Sequence, residues 1–283
     1  MKLFRFGDPG RERPGLLAPQ AGRVDVSAFG EDYGEAFFGS DGMARLTRWY
    51  AEHAAECPSV GADERVGAPI LRPSKIVCVG LNYRAHAAET GGKLPPEPML
   101  FMKSSTALAG PYDDLPLPRG SRKTDWEVEL ALVIGKRARY IEKARWSEYV
   151  AGFALMNDYS EREHQKERGG QFVKGKSADG FAPLGPLLVS PDEIDVSRLG
   201  LKLRVNGQLM QDGNTADLIF DVPTLVSHIS EFMTLLPGDV ISTGTPEGVG
   251  MGRNPPVFLK PGDIVDYEAD QLGAARQRIL EPV

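Results

Sequence analysis

From residue 75 onward the chain is cut into short apolar runs separated by Pro-Gly-Asp and Gly-Pro turns, and that texture limits the folds open to it. The runs occupy residues 75–80, 130–135, 152–156, 184–189, 201–206, 239–243 and 263–267. Each has the length of a strand and is too short for a buried helix. Pro237-Gly238-Asp239 and Pro261-Gly262-Asp263 launch two of them with turn-forming residues. Helical spacing is confined to about 42–56, 83–89, 160–168 and 222–232. So strand-rich a chain predicts an α+β fold built as a sandwich or rolled sheet, without regular βαβ alternation. Residues 1–70 read as a small N-terminal domain. They have strand-like starts, one helix and a polar connector at 58–73, and residues 71–283 form the main domain.

Composition narrows the function classes. At 283 residues and 41% hydrophobic content the chain can bury a large core. A net charge of −6 with scattered basic residues argues against a nucleic-acid partner. No stretch reaches the roughly 18 apolar residues of a membrane span. The alternating start Met1–Gly7 followed by Asp8-Pro9-Gly10 does not read as a signal peptide. Cys57 and Cys78 supply neither a disulfide framework nor a Cys-x-x-Cys metal signature, so cytoplasm is the expected compartment. Cys78, inside an apolar run, reads as a small core residue.

The chemical signal sits at the head of the most apolar run. Asp125-Trp126-Glu127-Val128-Glu129 leads directly into Leu130–Gly135. A strand turns alternate side chains to one face, so Glu127 and Glu129 point the same way, about 6.6 Å apart along the backbone, with Asp125 on that face too. Like charges entering a core repel and resist desolvation unless a cation offsets them. The segment therefore reads either as a divalent-metal site or as a strand end with a solvated acidic face. Asp158 adds a third acid. It closes the buried run 152–156 and precedes Ser160-Glu161-Arg162-Glu163, a Ser-x-x-Glu capping box that predicts a short helix ending at Gly169-Gly170. Its alternative role is a turn or second cap. Carboxylates without Cys or His beside them favour Mg²⁺, Mn²⁺ or Ca²⁺ over zinc.

Three further motifs carry possible chemistry. In Gly80-Leu81-Asn82-Tyr83-Arg84-Ala85-His86-Ala87-Ala88-Glu89, a strand runs through a turn into a helix start, and His86 and Glu89 can touch on one helix face. The carboxylate could hold the imidazole for general-base work on water; the plain alternative is a surface His–Glu pair. Gly170–Ser177 matches the Gly-x4-Gly-Lys-Ser phosphate loop but lacks the strand before it and the helix after it, so nucleotide binding is not expected. Lys174 or Lys176 there could still face an anionic substrate. Thr243-Gly244-Thr245-Pro246-Glu247-Gly248-Val249-Gly250 follows a strand. Its N–H groups could hold a carboxylate, or it could be a plain Gly-rich connection.

Taken in order, Gly80–Tyr83 with His86 and Glu89, Asp125–Glu129, Asn157-Asp158, Lys176 and Thr243–Pro246 resemble the fumarylacetoacetate hydrolase family over roughly residues 73–280. That resemblance implies a mixed β-sandwich roll with a small N-terminal domain, and a homodimer. It also implies one Mg²⁺ or Mn²⁺ per subunit on Glu127, Glu129 and Asp158, with His86–Glu89 as the water-activating pair. Arg162, Gln165, Lys176 and Thr245 become expected substrate contacts, with Lys176 also in a catalytic role. The stretch 162–171 and Lys174-Gly175-Lys176 is most similar to members acting on acylpyruvate-type acids, especially 2,4-diketo-3-deoxy acids of the L-fuconate and L-rhamnonate series. Such members release pyruvate and a second acid. A decarboxylase of oxaloacetate type, an isomerase or a ureidoglycolate lyase on the same ligands, or a non-catalytic small-acid-binding module, are the alternatives.

Overall fold

The computed structural model describes residues 1–282. Two strands dominate it. Val128–Ile134 and Val150–Asn157 are buried along their whole length and pair antiparallel, Val128 opposite Asn157 and Leu132 opposite Phe153. Near-continuous apolar runs of this kind belong to strands covered on both faces, which explains why they lack polar alternation. They lie at the middle of a ten-stranded sheet. From one edge its order is Gly22–Asp25, Arg13–Ala18, Lys2–Phe6, Leu188–Val189, Val150–Asn157, Val128–Ile134, Val240–Ser242, Ile76–Gly80 and Met99–Lys103, with Val66–Gly67 paired to Lys2–Phe6. Val240–Ser242 and Ile76–Gly80 run parallel while most other neighbours are antiparallel, so the sheet is mixed.

A second, five-stranded sheet holds Gln208–Asn214, Gly200–Val205, Ile264–Ala269, Gly273–Leu280 and Leu115–Pro116 in that order. Gly200–Val205 alternates half-buried and buried residues, as a strand with one face on a core must. It packs on Val128–Ile134 and makes the two sheets a sandwich. The helix Val222–Phe232 starts at Asp221, whose carboxylate accepts the Thr224 N–H at 2.9 Å, and has Pro in its first turn. Among the described residues no helix is long and apolar enough to cross a membrane.

The β-rich α+β expectation matches this architecture, and most predicted elements fall within a residue or two of the observed ones. Two differ. Residues 184–189 form a strand only at Leu188–Val189. The helix expected over 160–168 is instead a two-residue strand, Ser160–Glu161, paired with Thr124–Asp125, followed by a π-helical turn at Glu163–Glu167. The capping box does not form. The Ser160 hydroxyl donates to the Asp158 carbonyl, and the Glu163 N–H goes to the Glu161 carboxylate. Residues 1–70 contribute strands to the same sheet through Lys2 opposite Val189, and Leu3, Leu16, Val24 and Tyr33 belong to the same apolar core as Leu132.

Leu132 is fully buried between Phe153 and Ile241 in the sheet register. Leu132→Ala should lower unfolding free energy by about 2–5 kcal/mol in urea titration, whereas Leu209→Ala, at an exposed position, should change it by less than about 0.5 kcal/mol.

Candidate active site

The antiparallel pair of central strands creates the site. Their register brings residue 158, one step past Asn157, beside residue 127, one step before Val128, and the Asp158 N–H donates to the Glu127 carbonyl at 2.8 Å. Asn157 fixes the other side, its Oδ1 accepting the Glu127 N–H at 2.9 Å. Glu127, Glu129 and Asp158 are buried, and each offers a carboxylate oxygen within 4.8 Å of the others. Glu129 is held by the Ser242 hydroxyl and by the Gly244 N–H at 2.9 Å.

Three cations enter this cluster. The Lys176 ammonium lies 2.6 Å from Glu127 Oε2 and 2.8 Å from Asp158 Oδ2. Lys103 donates to Asp158 and, at 3.0 Å, to the Tyr159 carbonyl. Arg162 donates from Nε to Asp125 Oδ2 at 2.8 Å and from Nη1 to Gln165 Oε1 at 3.1 Å. Its Nη2 is 2.7 Å from Glu127 Oε1, close enough for an ion pair yet not aligned as a hydrogen bond. Burial alone would raise the Glu127 carboxyl, but Lys176 and Arg162 outweigh it and hold that group below the ordinary range. Burial likewise opposes the charged form of Lys176, and Asp158 and Glu127 overcome it, keeping the ammonium protonated. Glu129 has no cation at ion-pair distance. Burial first, then the Asp158 and Glu127 carboxylates, push its carboxyl well above the usual range.

A divalent cation fits this donor set. Four carboxylates (Asp125, Glu127, Glu129 and Asp158) meet three side-chain cations (Lys103, Arg162 and Lys176), and Glu129, the carboxylate without an ion-pair partner among the described residues, is the one whose ionised form a dication would stabilise. An all-oxygen set suits a hard ion such as Mg²⁺ or Mn²⁺. Glu127, Glu129 and Asp158 would hold it.

Beside the carboxylates lies a cavity of about 220 Å³. Glu127, Glu129, Arg162, Gln165, Lys176 and Thr245 line it, and so does His86. His86 sits on the helix Arg84–Glu89 and its Nδ1 is 2.8 Å from Glu89 Oε1. With Nδ1 so engaged, Nε2 is the ring nitrogen left for other chemistry. Asn82, fully buried, anchors that helix. It donates to the carbonyls of Thr243 at 2.7 Å and Phe220 at 3.1 Å, and accepts the Phe220 N–H at 2.8 Å.

The structure thus brings all the expected site residues together, with differences in what each touches. Lys176 is buried in the cluster, whereas Lys174 is exposed and donates to the Arg168 carbonyl. The Thr245 hydroxyl donates to the Val128 carbonyl at 2.9 Å and accepts from Gln211 at 2.8 Å, so its hydrogen is already engaged. Asp125 does not join the metal face. It pairs with Arg162 and accepts the N–H groups of Gly250 and Met251, because the strand is interrupted at Trp126-Glu127 and the strict alternation assumed from sequence is lost there. The Gly170–Ser177 pattern is no phosphate loop: a π-helical turn precedes it, and Phe172–Lys176 is itself helical.

Several contributors gave no sequence signal. Lys103 ends an ordinary strand, Met99–Lys103, and only the fold reveals its partner. Met99, Phe101, Phe172 and Met251 also line the cavity, and Lys166 stands at it with no hydrogen bond or ion pair among the described residues. Burial first, then Arg162, lower the pKa of Lys166.

Residues 75–280 match the family described as fumarylacetoacetate (FAA) hydrolase C-terminal. This chain belongs to that family. A Burkholderia cenocepacia protein with only a provisional hydrolase name is 48% identical over 98% of both chains. Among solved structures, the maleylpyruvate hydrolase from Sphingobium sp. SYK-6, in complex with manganese (II) ion and pyruvate, superposes with a TM-score of 0.81 at 30% identity, covering 100% of both chains. The 5-carboxymethyl-2-hydroxymuconate delta-isomerase from Mycobacterium smegmatis gives 0.76 at 32% identity, again over 100% of each. The chain is therefore similar to both hydrolases and isomerases of one family.

The charge arrangement separates the two strand glutamates experimentally. Glu127→Gln deprives buried Lys176 and Arg162 of a counter-charge and should destabilise the metal-free protein by about 3 kcal/mol. Glu129→Gln removes no ion-pair partner and should cost less than about 1 kcal/mol in EDTA. Both should weaken Mn²⁺ binding. Urea unfolding in EDTA beside calorimetric Mn²⁺ titration checks this; equal destabilisation by the two would contradict the assignment.

Proposed function

We propose that this protein is a divalent-cation-dependent hydrolase that cleaves a carbon–carbon bond in a 2,4-dioxo acid of acylpyruvate type, giving pyruvate and a second acid. One observation carries the reading: His86, paired through Nδ1 with Glu89, lines the same small cavity that Glu127 and Glu129 enter. A C–C hydrolase needs a base for water on one side of the bond and a sink for the departing electrons on the other. The Sphingobium neighbour, a maleylpyruvate hydrolase seen with manganese and pyruvate, supports the same division.

A dication on Glu127, Glu129 and Asp158 supplies a hard Lewis acid that favours negative charge developing on the 2-oxo acid end. Glu89 holds the His86 ring through Nδ1, and Nε2 takes a proton from water as that water attacks the distal carbonyl. Collapse of the tetrahedral adduct breaks the bond to the methylene carbon. The three-carbon fragment leaves as an enolate and is protonated to pyruvate. Lys176 and Gln165 face the anionic end of the substrate, with Lys176 stabilising charge there. Arg162 keeps Glu127 and Gln165 in place, and Thr245 closes the wall behind them.

Within this class the similarity of residues 162–176 favours 2,4-diketo-3-deoxy-L-fuconate or L-rhamnonate as the substrate. An isomerase reading is supported by the Mycobacterium smegmatis neighbour. A decarboxylase of oxaloacetate type would use the same acids without activated water. A cytoplasmic homodimer belongs to the same proposal and rests on the family resemblance.

Purified protein supplemented with Mn²⁺ or Mg²⁺ should release pyruvate and a second acid from 2,4-dioxo acids; CO₂ release, or an isomer with no second acid, would assign the alternatives. His86→Ala should keep Mn²⁺ affinity and lower kcat by roughly 10²- to 10⁴-fold. Near-parental turnover in that variant would remove His86 from the mechanism.

A further inference from the structure

The Gly-rich segment after Val240–Ser242 holds carboxylates, but they are the chain's own. Gly248 donates its N–H to both oxygens of Glu89, at 3.1 and 3.0 Å. Two residues on, the Gly250 N–H reaches Asp125 Oδ1 at 2.7 Å and the Met251 N–H reaches Oδ2 at 2.9 Å. Asp125 in turn holds Arg162. One stretch of backbone thereby grips the partner of His86 and the anchor of Arg162, and His86 and Arg162 line the same cavity.

Two glycines make this approach possible. Gly248 has φ +98°, and a Cβ there would lie 2.0 Å from the Met210 carbonyl oxygen. Such a conformation and contact exclude any other residue. Gly252 is different. Its φ is outside the left-handed region, and the three atoms nearest a Cβ would all belong to the Glu89 side chain, 2.7 Å from Oε2, 2.8 Å from Cδ and 3.1 Å from Cγ. The Glu89 carboxylate is packed against the open face of Gly252 on one side, capped by the Gly248 N–H, and bonded to His86 Nδ1.

We propose that Gly248–Gly252 is the positioning element of the His86–Glu89 pair, and that Gly252 is a positioning residue whose missing side chain sets where the Glu89 carboxylate stands. The inference rests on the reading of His86–Glu89 as the water-activating pair. It adds that the orientation of the base is imposed by a turn remote in sequence, and not by the helix that carries both residues. Gly252→Ala suits the local backbone and is relieved by moving the end of one side chain, so it displaces Glu89 without unfolding the protein.

The test is a double-mutant cycle with a crystal structure beside it. Gly252→Ala should lower kcat by about 10- to 100-fold on a 2,4-dioxo acid, with KM, Mn²⁺ affinity and melting temperature unchanged. In a Glu89→Gln background it should lower kcat no further than about twofold, because both changes act through one carboxylate. The crystal structure should show Glu89 moved off the Gly248 N–H. Parental kcat in Gly252→Ala, independent multiplication of the two losses, or a fall in melting temperature or Mn²⁺ affinity would overturn the proposal. Parental turnover in Glu89→Gln would overturn the water-activation reading and the proposal with it. If the parent turns over no dioxo acid, that reading alone falls, and the crystal structure still judges the clamp: an unmoved Glu89 refutes it and a displaced one upholds it.

Discussion

Four buried carboxylates cannot gather near the end of a β-strand pair without cations among them, and the site is organised around that constraint. The pairing of Val128–Ile134 with Val150–Asn157 forces Glu127 and Asp158 together. Lys103 and Lys176 then lie against Asp158, and Arg162 lies between Asp125 and Glu127. Glu129 is left facing hydrogen-bond donors alone, the Ser242 hydroxyl and the Gly244 N–H. A dication beside it would favour the ionised form of Glu129 and add positive charge that an anionic acid could balance.

The Gly-rich segment 243–252 is the second organiser. Its N–H groups at Gly244, Gly248, Gly250 and Met251 end on Glu129, Glu89 and Asp125. Backbone donors cannot change identity or protonation, so they fix these carboxylates whatever the titrating side chains around them do. The same segment reaches Asn82 through the Thr243 carbonyl, which ties it to the helix bearing His86. One loop therefore holds Glu129, the partner of His86 and the anchor of Arg162.

Much of this was legible in the sequence. The strand set followed from the lengths of the apolar runs and their turn residues, and the helix 222–232 agreed at both ends. Glu127, Glu129 and Asp158 stand out because acids at the ends of buried strands conflict with burial unless a cation offsets them, and His86 and Glu89 because their spacing lets them touch on one helix face. The failures have physical causes. Asp125 was placed with the glutamates because strict alternation was assumed through Trp126, where the strand is interrupted. Ser160 and Glu163 looked like a capping box because the pattern is local, whereas pairing of Ser160 with Asp125 is tertiary and overrides it. Lys103 was silent because a lysine closing a strand looks solvated until its buried partner is known. The N–H donors of residues 244–251 carry no side-chain signature, so their destinations emerge only from the fold.

The central claim is that carboxylates delivered by one antiparallel pair bind a single hard dication. X-ray absorption spectroscopy on Mn²⁺-loaded protein, parent and Glu127→Ala, tests it most directly. The account predicts one Mn²⁺ per chain in a shell of oxygen ligands alone, lost in the variant. Nitrogen or sulfur ligation, or an unchanged spectrum in Glu127→Ala, would contradict it.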